Sequence, residues 1–143
     1  MADLTQTAAN VALGASTTPT RVVQFGVAVT QGNALYLSAT DGKYYKADAN
    51  DGEAKARVAA IALTPGAQDA YGIVALPGST PGQSLINLGA TLAKGEVYAV
   101  SATAGAIAPI GDITSGQYVT VIGIATTTAL LNFQPSISNA TEA

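Results

Sequence analysis

Apolar residues fall along this chain in short runs, most of them bounded by glycine turns. Segments 34–38, 58–63, 71–76, 97–101, 118–124 and 129–133 are rich in Leu, Val, Ile, Tyr and Ala. They are too short for helices and suit half-buried strands. The runs 27–30 and 91–93 read as shorter strands ahead of two of them, and 43–47 as another after the Asp41-Gly42 turn. The turns between are Gln31-Gly32-Asn33, Asp41-Gly42, Lys94-Gly95-Glu96 and Ala104-Gly105, where glycine supplies the positive φ that a tight hairpin needs. Segment 50–57 carries a helix-forming series, enough for one or two turns. About ten short strands separated by glycine turns predict an all-β fold, a β-sandwich or barrel-like domain.

The pattern is stated twice. Residues 32–40, GNALYLSAT, return at 95–103 as GEVYAVSAT. An offset of 63 matches Gly32, Ser38, Ala39, Thr40 and Gly42 to Gly95, Ser101, Ala102, Thr103 and Gly105. Without a gap it also matches Gly26 to Gly89, and Val58, Ile61 and Ala62 to Val121, Ile124 and Ala125. A constant register of this length predicts two duplicated β units inside one domain. Copy one spans 25–76 and copy two 83–134, joined by the connector PGSTPG at 77–82, so that 25–134 is a single β domain. Residues 1–24 read as an extended N-terminal arm, either a frayed terminus or a segment that orders on a partner, and 135–143 as a polar tail. Two related halves suggest packing about a pseudo-two-fold axis, with Leu35, Leu37, Val58, Ile61 and Ile73 buried against Val100, Val121, Ile124 and Leu131.

Charge matters by its scarcity. Charged residues make up 10% of the chain, the net charge is −3, and neither cysteine nor histidine occurs. Disulfides and thiolate chemistry are thereby excluded, and the common zinc ligands are missing. Six scattered basic residues do not make a phosphate-tracking patch, so no nucleic-acid partner is expected. No apolar run approaches the roughly 20 residues of a membrane span. The opening Met-Ala-Asp-Leu-Thr has no basic n-region, so the expectation is synthesis in a cytoplasm.

The constellations that could carry chemistry are weak. Segment 48–59 begins like a calcium loop but has Glu53 where the sixth position needs Gly and Ala59 where the twelfth needs Glu. Four of the nine acids fall within 41–53, on one hairpin and loop, which does not suggest paired carboxylates across a cleft. Ser38 and Ser101 have no histidine to activate them, and serines at strand ends commonly bond to local backbone. Neither glycine-rich phosphate motif is present. Asn139-Ala140-Thr141 has the spacing of a glycosylation acceptor, which counts for nothing without a secretory signal. No catalytic, cofactor or metal residues are expected, and the chain does not read as an enzyme.

One asymmetry separates the copies. Span 41–57 holds eight of the fifteen charged residues, whereas the equivalent span 104–120 holds only Asp112. Lys43, Tyr44, Tyr45 and Lys46 are matched by Ala106, Ile107, Ala108 and Pro109. The hairpin of copy two either covers the core or forms a contact patch, and a monomer rarely exposes so apolar a surface. The expectation is an interface made by Ala106, Ile107, Ala108, Pro109 and Ile110, joined by Val11 and Leu13 from the arm.

Residues 30–39, then Asp41-Gly42-Lys43-Tyr44, Lys46-Ala47-Asp48-Ala49 and 58–63, resemble the head decoration, or capsid cement, proteins of tailed bacteriophages. Segments 92–100 and 101–109 and the opening Met-Ala-Asp-Leu-Thr are similar too. The resemblance covers about residues 25–133 and rests on turns and strands, so it identifies a fold family more safely than a role. It implies a small β protein, often a homotrimer, bound to the major capsid protein on the outside of an icosahedral shell and stabilising it. It carries over no catalytic residue and no cofactor. The alternative is a virion surface binding module, such as a head-fibre base or a glycan-binding protein using Tyr44, Tyr45 and Tyr71.

Overall fold

In the computed structural model, which describes residues 3–143, the short apolar runs build two antiparallel sheets stacked on one another. The first contains β2 (Thr20–Gln24), β6 (Tyr71–Ala75), β5 (Ala60–Ala62), β3 (Ala34–Leu37) and β4 (Tyr44–Lys46), in that spatial order. The second contains β1 (Val11–Leu13), β7 (Leu85–Leu88), β11 (Leu130–Thr141), β10 (Tyr118–Ala125), β8 (Val97–Val100) and β9 (Ile107–Pro109). A single helical turn, α1 (Glu53–Ala56), precedes β5. The chain is thus an all-β sandwich.

Setting β1 aside, the second sheet repeats the strand order of the first. The register repeats as well. Ala34 faces Ile61 as Val97 faces Ile124, and Leu37 faces Tyr44 as Val100 faces Ile107. Loop hydrogen bonds recur at the offset of 63: the Gly32 and Gly95 amides donate to the carbonyls of Ala62 and Ala125, both at 2.8 Å. Gly32 and Gly95 have φ of 88° and 85°, a conformation that admits glycine and few other residues.

The equivalent faces, however, meet different surroundings. We call the side bearing Leu35, Ala60, Ala62 and Val74 in the first sheet its front; the same positions in the second are Tyr98, Gly123, Ala125 and Leu131. The back bears Ala34, Ile61 and Ala75 in the first sheet, and Val97, Ile124 and Asn132 in the second. The main core joins Ala34, Ile61 and Ala75 to Tyr98, Val100, Ile107, Leu131 and Phe133. The back of the first sheet therefore lies on the front of the second. A separate cluster fills the front of the first sheet, where Leu35, Ala60, Ala62 and Val74 are covered by Phe25, Val29 and Tyr44. The sheets stack front to back, which replaces the expected pseudo-two-fold packing. The burial pattern follows: Leu35, Val58, Ile61, Val100 and Leu131 are interior as expected, whereas Leu37, Ile73 and Ile124 are exposed and Val121 is half-buried.

Three other expectations change. Residues 27–30 and 91–93 form no strands and instead lead into the Gly32 and Gly95 turns. The tail of 135–143 continues β11 as far as Thr141, because the eight-residue β10 needs partners along its whole length: Tyr118 pairs with Thr141 and Thr120 with Ile137. The described part of the arm belongs to the domain. β1 pairs with β7, β2 pairs with β6, and Val11 and Val23 are buried. Leu4 packs on the main core while its amide donates to the Ile107 carbonyl at 2.8 Å, and the Gln6 amide bonds to the carbonyls of Gly32 and Leu88. Backbone groups satisfied in this way make the segment a seam along both sheets.

Deletion of residues 1–19 should lower the urea midpoint of unfolding steeply. It removes one strand and uncovers apolar surface worth about 1.5 kcal/mol or more for each buried aliphatic side chain. A truncated chain with the parent's midpoint would return the segment to the status of a free arm.

Candidate functional site

The expected apolar interface is mostly interior. Ile107 is fully buried and Ala108 nearly so, since β9 forms the edge of the second sheet and points these side chains into or along the core. Val11 is buried against β7. Ala106, Pro109 and Ile110 are half-buried, and only Leu13 is exposed. The loss of charge between copies has a simple cause. Tyr44, facing the small front cluster, becomes Ile107, facing the main core.

Two other surfaces carry exposed apolar side chains. The first is the back of the six-stranded sheet. Leu85, Asn132, Ile124 and Val97 form a row across four strands, with Leu130 and Asn87 alongside. Ile124 is 48% exposed, although its counterpart Ile61 is 0% exposed. The second is the open margin of the five-stranded sheet. β2 is an edge strand, and Val22 pairs with Ile73 there. Beyond the fully buried Ala75 this face emerges into solvent at Ile73 and Tyr71, and Val22 is 66% exposed. The sequence signal was the adjacent pair Val22-Val23, of which a strand can bury one member on a given face. Sequence reasoning had singled out Tyr71 only as a possible sugar contact.

Polar features are local. Tyr36 and Tyr45 stack with ring centroids 5.8 Å apart beside a cavity of about 200 Å³, which also touches Lys46, Asp48, Asp51 and Lys55. Tyr36 was missed in the sequence, and Tyr44 is buried. The Tyr45 hydroxyl donates to Asp41 at 2.6 Å. That bond, with the Lys43 amide, holds the Asp41 carboxyl below its ordinary range. The turn therefore gains from Asp41 at neutral pH and loses that contribution as pH falls through the lowered value. Lys43 donates to Asp69 at 2.7 Å, which raises its ammonium above the usual range and ties the β3–β4 hairpin to the loop before β6. The Ser38 and Ser101 hydroxyls both accept from the backbone two residues on, as turn serines do. Ser101 also donates to Asp3, beside a cavity of about 380 Å³ that touches Asp112. No cluster of three or more metal-ligating side chains occurs among the described residues.

No family model, curated protein or solved structure matches this chain.

Ile107→Lys, at a position the sequence pattern placed in an interface, should instead unfold the domain by burying an unpaired ammonium in the main core. Ala106→Lys, nearby and half-buried, should fold. Circular dichroism melts of the two separate the cases; an Ile107→Lys protein that melts like the parent would contradict the placement of β9.

Proposed function

We propose that this chain is a structural, non-catalytic component of a tailed-phage virion, bound to the outside of the icosahedral capsid through the major capsid protein and stabilising the shell. The resemblance supplies the partner's identity. The structural observation that supports a contact role is the open β2 margin, where an unpaired strand edge lies beside Val22, Ile73 and Tyr71. An edge with Arg21 as its one charge is what native proteins usually protect, because it invites another chain to pair or pack there. A docking role accounts for its being left open. The repeated strand order and register support a further part of the reading, that the two sheets descend from one duplicated unit.

A protein that binds the assembled shell stabilises it by mass action. Capsids lacking this protein should release DNA at lower temperature, and adding the purified chain back should restore the parent value. Val22→Lys should melt like the parent yet fail to co-sediment with capsids and fail to restore that temperature. Capsids indifferent to the protein would reject the stabilising role. The glycan-binding alternative has one observation in its favour, the Tyr36–Tyr45 stack beside a cavity of sugar-like size. Tyr45→Ala losing glycan capture, with capsid survival unchanged, would favour it.

A further inference from the structure

We propose that the open edge of β2 binds by strand addition: an extended segment of the capsid protein pairs antiparallel with it and extends the five-stranded sheet. The inference rests on the virion reading for the partner's identity, and adds the mode of contact, its direction and the chemistry of the incoming segment.

The chain closes its other sheet edges itself. At the β4 edge the Gly26 amide donates to the Tyr44 carbonyl at 2.8 Å, and Phe25 bridges to Tyr44. At the equivalent β9 edge the Leu4 amide donates to the Ile107 carbonyl at 2.8 Å. The β7 edge is closed by β1, whose own outer edge is three residues long, too short to invite pairing. β2 has five residues, pairs with β6 alone, and is exposed at Thr20, Arg21 and Val22.

Its free polar groups point outward. In an antiparallel pair, alternate residues turn both N–H and C=O toward the partner strand. The Phe25 amide donates to the Ala70 carbonyl and the Leu76 amide to the Pro19 carbonyl, so Arg21 and Val23 are the β2 residues turned toward β6. Ile73, opposite Val22, donates its amide to the Thr64 hydroxyl and accepts at its carbonyl from the Leu63 amide, both away from β2. The Val22 and Gln24 amides and carbonyls therefore lie along the open edge.

The internal repeat shows what such an edge takes. Thr20 faces Ala75 as Leu85 faces Asn132, and Val22 faces Ile73 as Asn87 faces Leu130. In the second sheet these places are filled. Ala12 pairs with Asn87, the Gly14 amide donates to the Leu85 carbonyl at 2.7 Å, and the Thr18 hydroxyl accepts from the Leu85 amide at 3.1 Å. The covering element is a short antiparallel strand, far away in the chain, that pairs through its main chain.

Side chains set the chemistry of the segment. In the register of β1, the equivalents of Val11, Ala12 and Leu13 stand opposite Val23, Val22 and Arg21. The first two places suit apolar or small residues. The third suits a carboxylate, because the ion pairs among the described residues are Lys43–Asp69, Lys55–Asp51 and Arg57–Glu53, and Arg21 belongs to none of them. The same residue disfavours a second copy. Pairing β2 with β2 about Val22 would set two Arg21 side chains diagonally on one face, with no acid in Thr20–Gln24 to offset them.

Hydrogen exchange read residue by residue, on the free protein and on the protein bound to capsids, is the test. In the free protein the Arg21 and Val23 amides should exchange slowly and the Val22 and Gln24 amides fast; on capsids all four should be slow. Val22→Pro removes one outward N–H where an edge strand tolerates proline, so it should melt like the parent and lose co-sedimentation with capsids, whereas Val22→Ile should keep it. If the proline variant folds poorly, the exchange measurement on the parent decides alone. Protein that co-sediments while Val22 and Gln24 still exchange fast, or a folded Val22→Pro that co-sediments like the parent, would overturn strand addition and leave the virion reading standing. Protein that does not co-sediment at all would overturn both. Slow exchange at Val22 and Gln24 in the free protein, lost on dilution, would give the edge to a second copy and overturn the proposal.

Discussion

The structure depends on one constraint: a β-sheet with apolar residues on both faces must have both of them covered or leave one for another molecule. The first sheet has both faces covered except at its margins, where Leu37, Val22, Ile73 and Tyr71 reach solvent. Its back lies on the second sheet, and its front is closed by the chain's own loops, with Phe25 as the largest plug. The second sheet has one face covered. The seam formed by residues 3–24, the loops around Phe25 and the open back face all follow from stacking two equivalent sheets in the same orientation rather than facing their fronts together.

That stacking asks the same strand position to satisfy different neighbours, and the sequence differences between halves show how. Leu35 sits in the small front cluster, while its equivalent Tyr98 packs in the main core, where its hydroxyl accepts a hydrogen bond from the Ala93 amide at 3.0 Å. The loop after β5 is longer than the loop after β10, and the extra length helps to close the front cluster. Glycines make room for the plug. A Cβ at Gly66 or Gly72 would fall within 2.6 Å of the Phe25 ring, so the ring packs against bare backbone at both places. A Cβ at Gly26 would strike the Tyr45 ring, which links the plug segment to the stacked tyrosines.

Much of this was legible in the sequence. Glycines at constant offset located the turns, and apolar runs located most strands, because turn geometry and strand length are local properties. Which face each strand turns inward was not legible. In Ala34-Leu35 and Val97-Tyr98 both neighbours are apolar, so alternation gives no direction, and Ile107 read as surface because its counterpart Tyr44 stands in a charged hairpin. The arm was misread for a related reason. Its strands are short and edge-placed, and their stability comes from backbone hydrogen bonds to β7 and β6 that leave little trace in side-chain pattern. The polar continuation of β11 past Phe133 is ordered by β10 in the same way. Val22, Ile73 and Ile124 became candidates only when burial separated them from equally apolar neighbours.

The central claim is that equivalent positions of the two sheets are buried in one and open in the other. Because the chain has no cysteine, single substitutions can test it directly. Ile61→Cys and Ile124→Cys place one thiol at matching points of the repeat, and the measurement is the rate of labelling by a small thiol reagent in dilute native protein. Front-to-back stacking predicts that Cys at 124 reacts nearly as fast as in the unfolded chain, while Cys at 61 reacts only as fast as the domain opens. Equal rates at the two positions, both fast or both slow, would contradict it.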